Sequence, residues 1–307
     1  MVLLGFSVVG KAQYDTHFTH YWAVENLYNP AAMNRNDKMN IVGSYAMQLA
    51  GYTRAPNTMY FGANTVLPYG GGRHSGGAGL LNESIGLFKH KLIMLNYAFK
   101  FPLKNGWINV GAGVGVMGES FESGNVDTTD PNDPAFPKGN ENGTTGDISA
   151  GMLYVRNNFY LGASAQHLNS PTARYGKGSG KVAELKISPS IYFGGGCNIQ
   201  LTNPLLSVQP CFQVMSDLDF WRTDVTVRTK YEYESTMFYG GLTYSPGVSV
   251  TVLMGGKIRK VLVGYAYEIF TDNVGYQNGS HDLIISYSMD VDFFKKGKNV
   301  HKSVRYL

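Results

Sequence analysis

The chain has 307 residues, 43% of them hydrophobic and 13% aromatic, yet only 16% are charged and the formal net charge is +4. Soluble domains carry about 25% charged residues, a helical membrane protein needs apolar runs of about 20 residues that are absent here, and no basic, aromatic-interleaved patch points to nucleic acid. What remains is a chain that hides its apolar surface in alternation.

Residues 1–12 read as a secretory signal. Val2-Leu3-Leu4-Gly5-Phe6-Ser7-Val8-Val9 is a short apolar region, and Gly10-Lys11-Ala12 places small residues at −3 and −1 before Gln13. A basic leading region is missing, so the true start is expected upstream of Met1. Residues 13–37 do not alternate. They are aromatic and polar, with Phe18, Tyr21, Trp22, Tyr28 and then Asn29-Pro30-Ala31-Ala32. They are expected to form an ordered segment that packs at or inside the periplasmic mouth of a barrel built by the rest of the chain.

From residue 38 onward the period is two. Fourteen strand candidates lie at roughly 38–53, 57–68, 74–88, 90–103, 106–121, 146–155, 158–167, 185–198, 205–216, 219–232, 236–244, 247–256, 259–270 and 281–293. In the tenth, Trp221, Val225, Val227, Tyr231 and Tyr233 share one face, and Arg222, Asp224, Arg228, Lys230 and Glu232 the other. A basic side chain facing lipid at the bilayer midplane costs about 2–4 kcal/mol. The charged face is therefore assigned to a polar lumen, with Glu268, Asp282, Asp290 and Asp292 as partners. The last candidate alternates Leu283, Ile285, Tyr287, Met289, Val291 and Phe293 with Ile284, Ser286, Ser288, Asp290 and Asp292. Such lengths match a tilted strand crossing a bilayer core. Connections agree: Lys104-Asn105, Asn157, Glu234 and Lys257-Ile258 are short, whereas 122–145, 168–184 and 271–280 on the opposite side are long. Short turns at one end and long loops at the other are the outer-membrane barrel pattern.

Residues 295–307 continue past the last strand with Lys295, Lys296, Lys298, His301, Lys302 and Arg305, a basic tail that is either a partner contact or a solvated end. Catalytic, cofactor and metal sites are not expected. His17-x-x-His20 has metal-like spacing only on a helix. Asp127 to Pro134 is carboxylate-rich but lacks the glycine and terminal glutamate of a calcium loop. Gly70-Gly71-Gly72 and Gly194-Gly195-Gly196 lead into no helix and read as turns or bulges. His167 and His281 could serve as bases in a barrel hydrolase, but no nucleophile is paired with them. Cys197 is in phase with the outward residues Ile191 and Phe193, and Cys211 with the inward Ser207 and Gln209. Face parity therefore argues against a disulfide unless the glycine triplet forms a bulge.

The order of several soft motifs resembles the PorP/SprF family of type IX secretion outer-membrane proteins. They are Phe18-Thr19-His20-Tyr21 leading to Asn29-Pro30-Ala31; the stretch Gln48 to Pro68; Gly79 to Gly86 with Asn96-Tyr97-Ala98-Phe99; Gly151-Met152-Leu153-Tyr154 with Phe159 to Ser164 and His167-Leu168; and Gly264-Tyr265-Ala266-Tyr267 with Gly279-Ser280-His281-Asp282. The Tyr-Ala-Gly usual after Asn-Pro-Ala is absent, and Asp282 stands where the family usually has Glu. The resemblance implies a non-enzymatic part of protein secretion, needed for export and surface attachment of cargo with C-terminal sorting domains. It implies PorK, PorL, PorM, PorN and PorE as partners, alongside outer-membrane lipid and secreted cargo.

Together these features predict an all-β chain. A signal at 1–12 precedes an N-terminal segment at 13–37, a transmembrane antiparallel β-barrel of about fourteen strands at 38–294 and a basic tail at 295–307, with both ends in the periplasm. The lumen is expected to be filled by charged pairs and the N-terminal segment. Candidate partner contacts are Phe18, Tyr21, Asn29 and Pro30 in the segment and Lys295, Lys296, Lys298, Lys302 and Arg305 in the tail. The competing reading is a channel or transporter for small or hydrophobic solutes.

Overall fold

The structure is a computed structural model that describes residues 15–33, 38–121, 141–175, 183–271 and 279–290. The strands are β1 (Lys38–Met47), β2 (Asn57–Val66), β3 (His74–Ile85), β4 (Phe88–Leu103), β5 (Gly106–Phe121), β6 (Glu141–Arg156), β7 (Phe159–Gln166), β8 (Thr172–Tyr175), β9 (Ala183–Lys186), β10 (Ser190–Cys197), β11 (Ile199–Gln200), β12 (Leu206–Ser216), β13 (Trp221–Tyr233), β14 (Thr236–Ser245), β15 (Ser249–Ile258), β16 (Val261–Phe270) and β17 (Ser280–Asp290). One helical turn, α1 (Glu25–Tyr28), precedes them.

Fourteen of these strands form a closed antiparallel barrel. Chain neighbours pair in sequence from β1 to β7. β10 bridges β7 and β12, and β12 to β17 continue in order. β17 then returns to β1 with Lys38 opposite Asp290 and Met47 opposite His281. Closure leaves no exposed strand edge, which is the condition for a sheet to sit in hydrocarbon. Alternation sorts the side chains. Met59, Phe61, Ile93, Leu95, Val114, Val116, Leu242, Met254, Val263 and Ile285 stand outward and exposed. Their lumen-side neighbours include Thr58, Asn96, Asn109, Ser164, Gln213, Thr226 and Thr251, all buried. No described helix is long and apolar enough to cross a membrane; the strands present the apolar belt.

The two ends differ. β3 and β4 are joined across residues 86–87 at the same end as the long connections 122–140 and 167–189, here called the long-loop end. At the other, short-turn end, β6–β7, β13–β14 and β15–β16 are joined by pairs of residues led by Asn157, Glu234 and Arg259, each with positive φ. Left-handed residues in two-residue turns match the strand twist.

Differences from the sequence expectations are local. β1 stops at Met47 rather than residue 53, because Leu49, Gly51 and Arg54 take positive φ and turn the chain. β6 begins five residues early, at Glu141 rather than residue 146. The candidate at 185–198 is two elements. β9 pairs with β8 in a separate hairpin inside the long connection, and β10 starts only at Ser190. Pro189 lies between them, and proline cannot donate to a ladder.

The core of the molecule is inside the barrel. Phe18, Tyr21, Val24, Leu27 and Tyr28 of the N-terminal segment pack against Val42, Tyr60, Leu81, Leu92, Met94, Met117, Tyr192, Met215 and Ile284 of the wall. The segment therefore runs through the lumen rather than capping one mouth.

Candidate functional site

Residues 15–33 form a stopper with two differently built halves. Toward the short-turn end it is held by main-chain recognition. A helix ends with carbonyl groups that lack partners within the helix, and a single turn such as α1 has almost nothing else. Wall side chains supply the missing donors. Asn96 Nδ2 donates to Asn26 O at 3.0 Å, Gln166 Nε2 to Leu27 O, and Ser164 Oγ to Tyr28 O at 2.8 Å. Further along, Asn109 Nδ2 donates to Ala31 O at 3.1 Å and Met33 O at 2.7 Å. The Asn29 side chain closes the turn by accepting from Ala31 N at 2.8 Å, and donates to Met152 O at 3.1 Å. Asn29-Pro30-Ala31 can lie this close only because the wall beneath is bare. A Cβ on Gly111 would stand 2.5 Å from Ala31 N, and one on Gly151 would stand 2.2 Å from Asn29 Oδ1. Glycine here serves close backbone approach.

Toward the long-loop end the segment is held by charge. Asp282 accepts from Thr19 N at 2.7 Å and faces His20 Nδ1 at 3.0 Å. His17 Nε2 lies 3.1 Å from Asp224 Oδ2. His167, just beyond β7, touches Asp15 and Asp147 with its two ring nitrogens, each at 2.9 Å. Tyr192 also donates to Asp15. Burial alone would lower the His167 pKa, but the hydrogen bonds and charges of Asp147 and Asp15 outweigh it and push it up to about 10. An imidazole between two carboxylates is held as the cation. Burial works to raise the Asp15 pKa, yet its bond to His167 and that residue's charge hold it below the ordinary carboxylate value.

Between the halves, Tyr21 donates to Thr226 Oγ1 at 2.9 Å and sits 3.4 Å from Cys211 Sγ. The Arg228 guanidinium lies over the Trp22 ring at 3.6 Å, a cation–π contact worth about 2 kcal/mol where desolvated.

The charged residues selected from the sequence divide between lumen and rim. Asp224, Arg228, Glu268 and Asp282 are buried inside the barrel, and Arg222 is largely so. Arg222 bridges Asp224 at 3.1 Å and Glu268 at 2.9 Å. Lys230 and Glu232 pair with each other at 2.7 Å near the short-turn end, where the Glu232 side chain is 55% exposed. Asp290 is 3.3 Å from Lys38 at the same mouth and mostly exposed. These three sit on the rim, where the strands rise beyond the filled lumen. Phe18, Tyr21, Asn29 and Pro30, expected as partner contacts, are buried against the wall, so a partner reaches them only if the segment moves. Asp292, Lys295, Lys296, Lys298, Lys302 and Arg305 lie outside the described residues, as do residues 1–12 and the Asp127–Pro134 stretch. Cys197 and Cys211 are free thiols, with Cys211 opposite Gly196. His17 and His20 face separate carboxylates, and among the described residues no cluster of three metal-ligating side chains forms. His281 bonds Tyr265 Oη at 2.7 Å on the outer surface.

Sequence reasoning did not find Asn96, Asn109, Ser164, Gln166, Gly111 or Gly151 as a set. Each reads locally as an ordinary lumen-facing position. Their signal was indirect, since Asn96, Gly151, Ser164, His167 and Asp282 all stand within the phrases that carry the family resemblance.

A closed barrel with an apolar outer belt and a filled polar lumen defines an outer-membrane β-barrel protein. Among solved structures the chain is similar to a Pseudomonas aeruginosa FadL homologue, at 12% identity and a TM-score of 0.51, covering 85% of this chain and 91% of that one. It is also similar to the Pseudomonas putida toluene transporter TodX (12% identity, TM-score 0.49, 91% and 95% covered) and the Ralstonia pickettii toluene transporter TbuX (14%, 0.48, 85% and 92%). At such identities the likeness is one of fold. A search of curated proteins finds no match. The model of the family "Type IX secretion system membrane protein PorP/SprF" matches residues 10–287. The chain belongs to that family, and with it to the membrane components of type IX secretion in the outer membrane.

Proposed function

We propose that this protein is a non-enzymatic, non-conducting subunit of the type IX machinery. It supports export and surface attachment of proteins with C-terminal sorting domains, and it anchors periplasmic components of the PorK, PorL, PorM, PorN and PorE kind. The observation that carries this reading is the filled lumen. Residues 15–33 occupy it through main-chain bonds, apolar packing and buried charge, which leaves no route for a folded cargo. A barrel of this strand number is narrow even when empty. The useful surfaces are then the rims. The short-turn end, where Lys38 meets Asp290, faces the periplasm in this reading, and the basic sequence of residues 295–307 is assigned as a contact for a partner.

Cross-linking in cells, with and without residues 295–307, tests the anchoring role. Loss of periplasmic partner contact and of cargo export, with the barrel still assembled, is expected on truncation. Unchanged contact removes the tail from the mechanism, and normal export in a strain lacking the whole chain overturns the function.

One observation favours a second reading, a carrier of small apolar solutes. A cavity between segment and wall is lined by Tyr21, Tyr28, Leu153, Tyr160, Phe193 and Phe212. Uptake of a monoaromatic hydrocarbon into liposomes holding the purified protein would support it; no uptake dismisses it.

A further inference from the structure

The short-turn half of the lumen treats the N-terminal segment as a ligand. All five bonds from wall side chains to the segment run one way, from Asn96, Gln166, Ser164 and Asn109 to main-chain carbonyls. In return the Asn29 side chain bonds this wall through Met152 O and Ala163 O. A wall that reads carbonyl groups is largely indifferent to side-chain identity, as in peptide recognition through the main chain. Two further features fit a peptide seat. Pro30 brings no N–H to the tightest point, where a Cβ on Gly111 would stand 2.6 Å from its carbonyl carbon. One acceptor is also left over: Asn109 Oδ1 is buried without a partner, so the seat has capacity that residues 26–33 do not use.

We propose that the wall of β4 to β7 is a peptide-binding groove, occupied in cis by residues 26–33, which accepts in trans a second polypeptide of the same kind. That kind is one helical turn followed by Asn-Pro in a tight turn. Asn29 is the specificity element, and the carbonyls of the turn supply the rest of the affinity. The charge-held half, residues 15–20, engages Asp224 on β13, Asp282 on β17, Tyr192 on β10 and His167 after β7. It meets the groove-bound residues at Tyr28, whose hydroxyl accepts from Phe18 N at 3.0 Å and donates to Thr16 O at 3.3 Å, so emptying the groove also breaks these two bonds. The groove does not depend on the secretion role.

The test uses the assembled full chain with a protease site replacing residues 34–37. After cleavage in detergent, a fluorescent synthetic peptide of residues 15–33 is added and exchange is followed by anisotropy. The native peptide is expected to displace the cleaved segment, and an Asn29→Ala peptide to bind about tenfold more weakly, from loss of its paired contacts. A barrel carrying Asn109→Ala, which loses two carbonyl contacts, should exchange faster. Absence of exchange in both barrels overturns the proposal and makes the segment a permanent strut. Equal binding of native, Asn29→Ala and scrambled peptides overturns it as well, since the groove would then select nothing.

Discussion

Individual side chains decide whether the stopper stays. His167 is the clearest case. Its pKa is pushed up to about 10 by two carboxylates, against an ordinary value near 6.5. A raised pKa means the charged pair contributes fully below the ordinary value and is lost as pH rises through about 10. Residues 15–20 should therefore stay protected from protease at neutral pH and loosen above pH 10. His167→Gln should show weak protection at all pH values; an unchanged alkaline profile in that variant would remove His167 from the latch. Asp224 makes a second test, because it faces both His17 and Arg222. Asp224→Asn leaves a buried arginine short of a partner, and should weaken the hold on the segment by about 3 kcal/mol, read as faster proteolysis at Thr16–Tyr21. At Gly151 the constraint is steric. A Cβ there would stand 2.2 Å from Asn29 Oδ1, so Gly151→Val should eject Asn29 at a cost of about 1–3 kcal/mol and leave the barrel assembled.

Among the elements, β13 shows how far alternation carries. Its outward row, Trp221, Val225, Val227, Tyr231 and Tyr233, is exposed, and Asp224, Thr226 and Arg228 between them are buried. Val227 lies at the centre of the strand and faces lipid. Val227→Lys should destabilise the folded barrel in lipid vesicles by about 2–4 kcal/mol in a urea titration; a neutral result would mean the belt is not in hydrocarbon at that height. The same periodicity placed all fourteen barrel strands because each needs only its own local pattern. It was weaker at ends, where turns rule. Residues 48–53 alternate acceptably but carry Leu49 and Gly51 with positive φ. Residues 185–198 alternate across Pro189, which divides a loop hairpin from a wall strand. α1 had no periodicity to read, since one turn is too short to show a face, and its stability comes from wall donors.

For the whole molecule, the stopper is the hydrophobic core. Removing residues 15–33 strips Phe18, Tyr21, Val24, Leu27 and Tyr28 from the wall that packs on them. Intact protein in a planar bilayer should be electrically silent, while the 15–33 deletion should show stable porin-like steps or a lowered unfolding temperature. Steady porin-like conductance from the intact chain would contradict the closed lumen.

By itself the sequence determined the barrel, the inward and outward rows of its strands and the family, because a period of two and ordered motifs are properties of neighbouring residues. It also marked Asp224 and Asp282 as inward. Only the tertiary structure decided what they face. His17 and His20 come from a segment more than 200 residues away in the chain, and the side chains that bond the carbonyls of residues 26–33 are spread over β4, β5 and β7. The segment's path could not be read locally because its register is set by bare glycines and by carbonyl groups, and the backbone carbonyl is the one group that every residue type shares.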